Sequence, residues 1–211
     1  MNRTKAEIVR EYGPFPGVDQ VHGVTFDGSN IWFAAGGSIN AIDPSSGETV
    51  RTLDVAGHAG TAFDGKYLFQ IAEDRIHKID PTTGKVLATI PAPGAGGDSG
   101  MAWAEGSLWV GQYRSRKIHQ VDPETGKVLR VIESNRFVTG VTWVDGELWH
   151  GTWEGDESEL RHVDPKTGEV LEQIEMPQGT GVSGLESNGS DQFFCGGGRS
   201  GVIRAVRRKK K

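Results

Sequence analysis

The sequence predicts an all-β fold, a five-bladed β-propeller whose last blade is completed by the N-terminal strand. Three observations lead there. An Asp-Pro-x-Ser/Thr-Gly turn recurs at Asp43, Asp80, Asp122 and Asp164, at spacings of 37, 42 and 42 residues. A short run opening on glycine stands upstream of each: Gly23 to Phe26, Gly60 to Phe63, Gly100 to Trp103 and Gly140 to Trp143. A fifth run, Gly184 to Ser187, has no Asp-Pro turn after it. A period of about 40 residues made of short strands is one propeller blade per repeat.

The fourth repeat gives the elements of a blade in order. Val141 to Val144 is the innermost strand. Asp145-Gly146 is a hairpin turn, because glycine tolerates the positive φ that such turns need. Leu148 to Trp153 is the second strand and Leu160 to Val163 the third. Asp164 to Gly168 is the next turn: the proline presets φ and the glycine takes the left-handed position. Glu169 to Ile174 is the outer strand. At the chain ends, Ala6 to Tyr12 reads as an outer strand, whereas the fifth repeat stops after its third, Val202 to Val206. The N-terminal segment therefore closes the ring and covers an edge that would otherwise invite aggregation. Residues 1–206 form one domain, with a basic tail at 207–211 that is expected to be solvated.

Composition narrows the function classes. Removing the five basic residues 207–211 from a net charge of −5 leaves −10 on the body, so neither nucleic acid nor an anionic membrane is an expected partner. One cysteine, Cys195, excludes an intramolecular disulfide. Met1 to Tyr12 carries no apolar core of a signal peptide, and no segment has the length of a membrane span. A cytoplasmic location is the expectation; the oligomeric state stays open.

Aligning the repeats separates structure from candidate function. Trp32, Trp109 and Trp149 share one position with Phe69 and Phe194, and Trp103 and Trp143 share another with Phe26 and Phe63. These five tryptophans are expected to pack between blades. Trp153 stands outside the pattern. His22 precedes its inner strand where other blades carry Ala59, Ser99, Thr139 and Ser183, and His150 takes a slot held elsewhere by Phe33, Gln70, Val110 and Cys195. Glu186 is the sharpest outlier, since its register mates are Thr25, Ala62, Ala102 and Thr142. Burial there would raise its pKa, which suits a general acid or base.

In propellers the starts of inner strands and the ends of second strands share one face. That face gathers His22, His58, Asp98, Ser99, Glu73, Gln112, Tyr113, Arg114, Thr152, Trp153, Glu154 and Arg199, an inventory suited to a small-molecule site. Glu186, His22 and Tyr113 are the candidate catalytic groups. Trp153, Gln112, His150, Glu73, Ser99 and Arg199 are the candidate substrate contacts. No cofactor is called for: there is no Cys/His metal spacing and no phosphate-binding glycine loop. A divalent metal between His22, His150 and Glu186 is left open.

The tract Trp143 to Trp153, with the repeats G-L-x-x-D-G-x-L-W and D-P-x-T-G-K-V, resembles the plant-type glutaminyl cyclases, or glutamine cyclotransferases, and their bacterial relatives. The repeats also resemble virginiamycin B lyase-type propellers. The first resemblance implies a five-bladed ring that cyclises N-terminal glutamine without a metal, with Trp153 matching a tryptophan of the substrate pocket. It also implies departures. The position of the family's catalytic glutamate holds Ala59, that of a pocket glutamine holds His22, and that of a pocket tryptophan holds Ser99. The family's last-blade lysine falls near Gly198-Arg199, where no lysine stands. The expectation is therefore acid/base chemistry of cyclotransferase or lyase type on a polar metabolite or peptide end, without efficient glutaminyl cyclisation. The alternative is a non-catalytic ligand-binding or protein-interaction propeller.

Overall fold

The computed structural model describes residues 2–209. It is all-β and closes as a five-bladed propeller. Two strands, β1 (Asn2–Lys5) and β2 (Ile8–Tyr12), precede the first blade. Blade 1 contains β3 (Val24–Phe26), β4 (Ile31–Ala34), β5 (Ile39–Ile42) and β6 (Thr49–Leu53). Blade 2 contains β7 (Thr61–Phe63), β8 (Leu68–Ala72), β9 (Arg75–Ile79) and β10 (Val86–Pro91). Blade 3 contains β11 (Asp98–Ala104), β12 (Ser107–Gln112), β13 (Lys117–Val121) and β14 (Val128–Glu133). Blade 4 contains β15 (Val138–Val144), β16 (Glu147–Glu154), β17 (Glu157–Val163) and β18 (Val170–Glu175). Blade 5 contains β19 (Gly184–Ser187), β20 (Gln192–Gly196) and β21 (Ile203–Arg207), and β2 is its outer strand, antiparallel to β21. The shared closing blade is as the sequence predicts.

The turns follow their residue types. Asp43 Oδ1 accepts the backbone N–H of Ser45 at 2.6 Å, and the N–H of Gly47 returns to the Asp43 carbonyl at 2.7 Å. Gly47 takes φ of 81°, in the left-handed region that the motif demands. Hydrogen bonds within the turn, chiefly from Ser45, hold the Asp43 carboxyl below its ordinary pKa, and the matching bonds at Asp80 and Asp122 do likewise. Asp145 and Gly146 both have positive φ, 53° and 76°, as a tight β-hairpin requires.

The core lies between blades rather than within them. Each of the five apolar clusters among the described residues spans one pair of neighbours. Aromatic rings meet in tilted pairs across blade boundaries: Trp109 of blade 3 against Trp143 of blade 4, with centroids 4.9 Å apart, and Trp149 of blade 4 against Phe193 of blade 5, also at 4.9 Å. Phe69 meets Trp103 between blades 2 and 3, and Phe26 meets Phe194 across the closure. No helix among the described residues is long and apolar enough to cross a membrane.

Two expectations need correction. β1 adds a fifth strand to blade 4, parallel to β18, so the N-terminus serves two blades. The basic tail is not wholly solvated. Arg207 lies in β21 and pairs with Glu7, and Arg208 is buried, with its guanidinium 2.7 Å from Asp145 and 3.2 Å from Glu147. A chain end can settle there because blade 4's Asp-Gly hairpin offers two carboxylates to a cation. Lys210 and Lys211 lie outside the described residues.

Candidate functional site

Five glycines at the starts of the inner strands build the floor of the site. Gly23, Gly60, Gly100, Gly140 and Gly184 each abut the backbone of the next blade, and Gly184 closes the circle against His22, Gly23 and Val24. A methyl group at any of the five would overlap a neighbouring main chain. Only glycine lets five strands converge this tightly on one axis. The layer seals the channel and divides it into two levels.

Above the glycines lies a depression of about 610 Å³. All five residues that immediately precede a glycine line it: His22, Ala59, Ser99, Thr139 and Ser183. The other walls are Gln20 from blade 1, His58 from blade 2, Asp98 and Tyr113 from blade 3, Trp153 and Gly155 from blade 4, and Arg199 from blade 5. Two of the pre-glycine hydroxyls are spent on clamping neighbours. Ser99 Oγ donates to the Val138 carbonyl at 2.8 Å, and Ser183 Oγ donates to the Val21 carbonyl at 2.6 Å. Trp153 leans its ring onto Gly181 and Gly198, where a Cβ would collide with it, and its indole N–H donates to the Gly155 carbonyl at 3.0 Å. It is thus a fixed apolar wall with one face left to the depression.

Asp98 is the carboxylate of this level. It begins β11 and is 8% exposed. Its Oδ2 accepts the Gly94 N–H at 3.0 Å; its Oδ1 has only a long contact, 3.5 Å, from the Gln112 amide. Burial raises its pKa above the ordinary aspartate value, and those two donors offset the rise only in part. His22 is shifted the opposite way: burial, then the nearby His58, lowers its pKa, so it is neutral at neutral pH. The depression therefore holds a carboxyl group with unspent acceptor capacity and an imidazole able to take a proton.

The structure gathers five of the nine predicted site residues here: His22, Tyr113, Trp153, Ser99 and Arg199. Four lie elsewhere. Glu186 faces the axis two residues beyond Gly184, beneath the glycine layer. There its Oε2 accepts from Thr25 Oγ1 at 2.8 Å, and its Oε1 accepts from Thr142 Oγ1 at 2.5 Å and from the Ser187 N–H at 2.8 Å. It bridges blades 1, 4 and 5 and is out of reach of the depression. Burial still raises its pKa. His150 is fully buried between strands, with Nδ1 3.0 Å from the Gly151 carbonyl; Nδ1 therefore carries the proton. Burial pushes its pKa down to about 4, so it is a neutral structural histidine. Glu73 is exposed at a hairpin tip with φ of 56°, because blade 2 turns immediately after β8. Gln112 faces an adjoining groove with Gly94, Arg114 and Ser115, and its Oε1 accepts from Ser115 Oγ.

Tyr113 is in place, but its hydroxyl donates to the Trp153 carbonyl at 2.8 Å, which ties blade 3 to blade 4 and makes it a wall rather than a proton donor. The metal set also dissolves. His22 lies above the glycines, Glu186 below them and His150 between strands. No group of three or more His, Cys, Asp or Glu among the described residues is placed to hold an ion.

Asp98 and His58 had a legible signal. Two residues before each glycine stand Val21, His58, Asp98, Val138 and Val182. The three valines are buried core, so the two polar residues break the register at the level that lines the depression.

The whole ring superposes on glutaminyl cyclase from Myxococcus xanthus with a TM-score of 0.81 at 17% identity, covering 98% of this chain and 97% of that one. Two more distant propellers are hydrazine synthase from Kuenenia stuttgartiensis (TM-score 0.53, 15% identity, 85% of this chain and 56% of that one) and the Cps50 (Swd1) β-propeller domain from Myceliophteria thermophila (TM-score 0.53, 15% identity, 90% and 64%). At such identities the likeness is one of fold. No curated protein matches the chain in sequence. The family model described as outer membrane protein assembly factor BamB matches residues 35–193, and the chain belongs to that propeller-repeat family.

Proposed function

We propose that the protein binds a small polar molecule in the central depression and performs acid/base chemistry of cyclotransferase or lyase type on it, the ligand being a polar metabolite or a peptide end. One observation carries this reading: all five blades converge on a cup in which buried Asp98 and half-buried His22 keep hydrogen-bonding capacity that the fold does not use. Interior polar groups are ordinarily paired by the fold itself. Asp98 takes the role first expected of Glu186. Asp98, whose pKa burial raises, would take up and return a proton, and neutral His22 would exchange one from the other side of the cup. Trp153 supplies the apolar wall. The likeness to glutaminyl cyclase supports the scaffold of such a site. Efficient cyclisation of N-terminal glutamine is not expected, because Ala59 brings a methyl group to the position where that family carries its glutamate. Turnover of a glutaminyl peptide at an enzyme-like rate would overturn that expectation.

The test of the main reading is a thermal-shift screen of polar metabolites and short peptides on wild type and Trp153→Ala. A ligand that raises the melting temperature of wild type and not of the variant supports it; no ligand, or equal shifts in both, counts against it. A second reading, an interaction propeller, draws on the match to an assembly factor and on apolar side chains exposed along the outer strands, among them Val86, Leu87, Leu129 and Val131. It gains if the screen is empty.

A further inference from the structure

The polar groups of the depression are sorted across the ring axis, with the charges Asp98 and Arg199 on opposite sides. Blades follow one another around the ring in chain order, so blade 3 faces the junction between blades 5 and 1. Asp98, the carboxylate among the lining residues, stands on blade 3. Arg199 stands on blade 5 and His22 on blade 1, with His58 beside it on blade 2. Among the described residues no ion pair or side-chain hydrogen bond engages Arg199, His22 or His58. Asp98 for its part meets only a backbone N–H and an amide, and no cation. The cup is therefore electrically two-ended, and neither end is neutralised from within the protein.

Resting on the small-molecule reading above, we propose that the depression selects a dipolar ligand, an α-amino acid or a short peptide with both ends free, with its ammonium at Asp98 and its carboxylate at Arg199 and His22. A dianion would bring a like charge to Asp98, and a simple amine would leave the Arg199 end without a partner. A zwitterion forms a charge-assisted bond at each end, and such bonds are stronger than neutral ones. The wall between the two ends is the Trp153 ring, which suits the apolar middle of a peptide or side chain. The volume of about 610 Å³ leaves room beyond a single residue, so free amino acids and dipeptides are separate arms of the test.

The experiment is calorimetric titration of the full chain with a set of dipeptides with free ends, their N-acetyl forms, their C-terminal amides, and the free amino acids. Binding by free-ended probes is expected, with blocking of either end weakening it by about tenfold or more. Asp98→Asn should erase discrimination against the N-acetyl form alone, and Arg199→Gln discrimination against the amide alone. The blocked probes test wild type directly, so the result stands even where a variant folds poorly. Equal binding of blocked and free probes overturns the dipolar selection, as does preference for a ligand with a single charge; both leave the cup as a ligand site. Failure of every probe overturns the dipolar selection too, and the broader metabolite screen then decides whether the site reading falls with it.

Discussion

Asp98 and Glu186 are two buried carboxyl groups near the same axis, both with pKa values raised by burial, and the fold treats them in opposite ways. Glu186, below the glycine layer, accepts from two threonine hydroxyls and the Ser187 N–H, and its capacity is spent on holding three blades together. Asp98, above the layer, accepts one good hydrogen bond and one long one, and opens onto a cup. The difference teaches that an outlier in a repeat marks a special position without saying for what. Unspent hydrogen-bonding capacity facing open space is the mark of a site.

The largest expected effect breaks the frame that both levels share. Deleting residues 2–12 removes β1 and β2, uncovers β18 and β21, and takes away the partners of Arg204 and Arg207. Loss of a cooperative thermal transition is expected. Removing only residues 209–211 should leave the melting temperature unchanged, whereas removing 208–211 should cost about 1 kcal/mol, because Arg208 is buried but one of its partners, Asp145, is 54% exposed and solvent weakens that pair. Equal melting temperatures for the long N-terminal and the short C-terminal deletions would contradict the shared closing blade.

Next in size is the contrast between two tryptophans of β16. Trp149 is 2% exposed, stacks on His162 and meets Phe193 at a tilt; its truncation to alanine should cost roughly 3–5 kcal/mol in denaturant unfolding. Trp153 is only half-buried at the rim, and Trp153→Ala should cost less than half as much. Equal losses would place Trp153 in the core and remove the best wall of the cup.

A smaller effect sharpens the lower level. A carboxyl whose pKa is higher in the folded than in the unfolded chain binds its proton more tightly when folded. Its contribution to stability is present at low pH and is lost as pH rises from the ordinary carboxylate range through the raised value. Glu186→Gln does not titrate, so wild type should lose stability relative to the variant as pH climbs through that window. At the low-pH end the protonated carboxyl and the amide each offer one carbonyl acceptor, so the two proteins should start close together and diverge as the wild-type group ionises. Unfolding free energies across pH 4 to 8 (roughly the relevant span) would show this; a pH-independent gap would contradict the enclosed placement of Glu186.

The ring was legible in the sequence because the Asp-Pro turns and the glycine-opened strands repeat, and repetition reports backbone requirements directly. The same register pointed to the rim of the cup, since His22, Ser99 and Trp153 fall where aligned blades differ. It misplaced Glu186 because the seal formed by the five glycines is a meeting of backbones from different blades, which no single repeat displays. It passed over Arg208 because five consecutive basic residues look alike until one of them finds Asp145 and Glu147. His150 shows a related limit: a histidine replacing Val110 and Cys195 in a core slot looked functional, yet the slot's burial decides its chemistry.

The two levels are separated most directly by ligand-induced stabilisation of three proteins, wild type, Asp98→Asn and Glu186→Gln, with the free-ended dipeptide set as the probe. The same rise in melting temperature is expected for wild type and Glu186→Gln, and a clearly smaller one for Asp98→Asn. A rise undiminished in Asp98→Asn and lost in Glu186→Gln would place the chemistry beneath the glycine layer and contradict this.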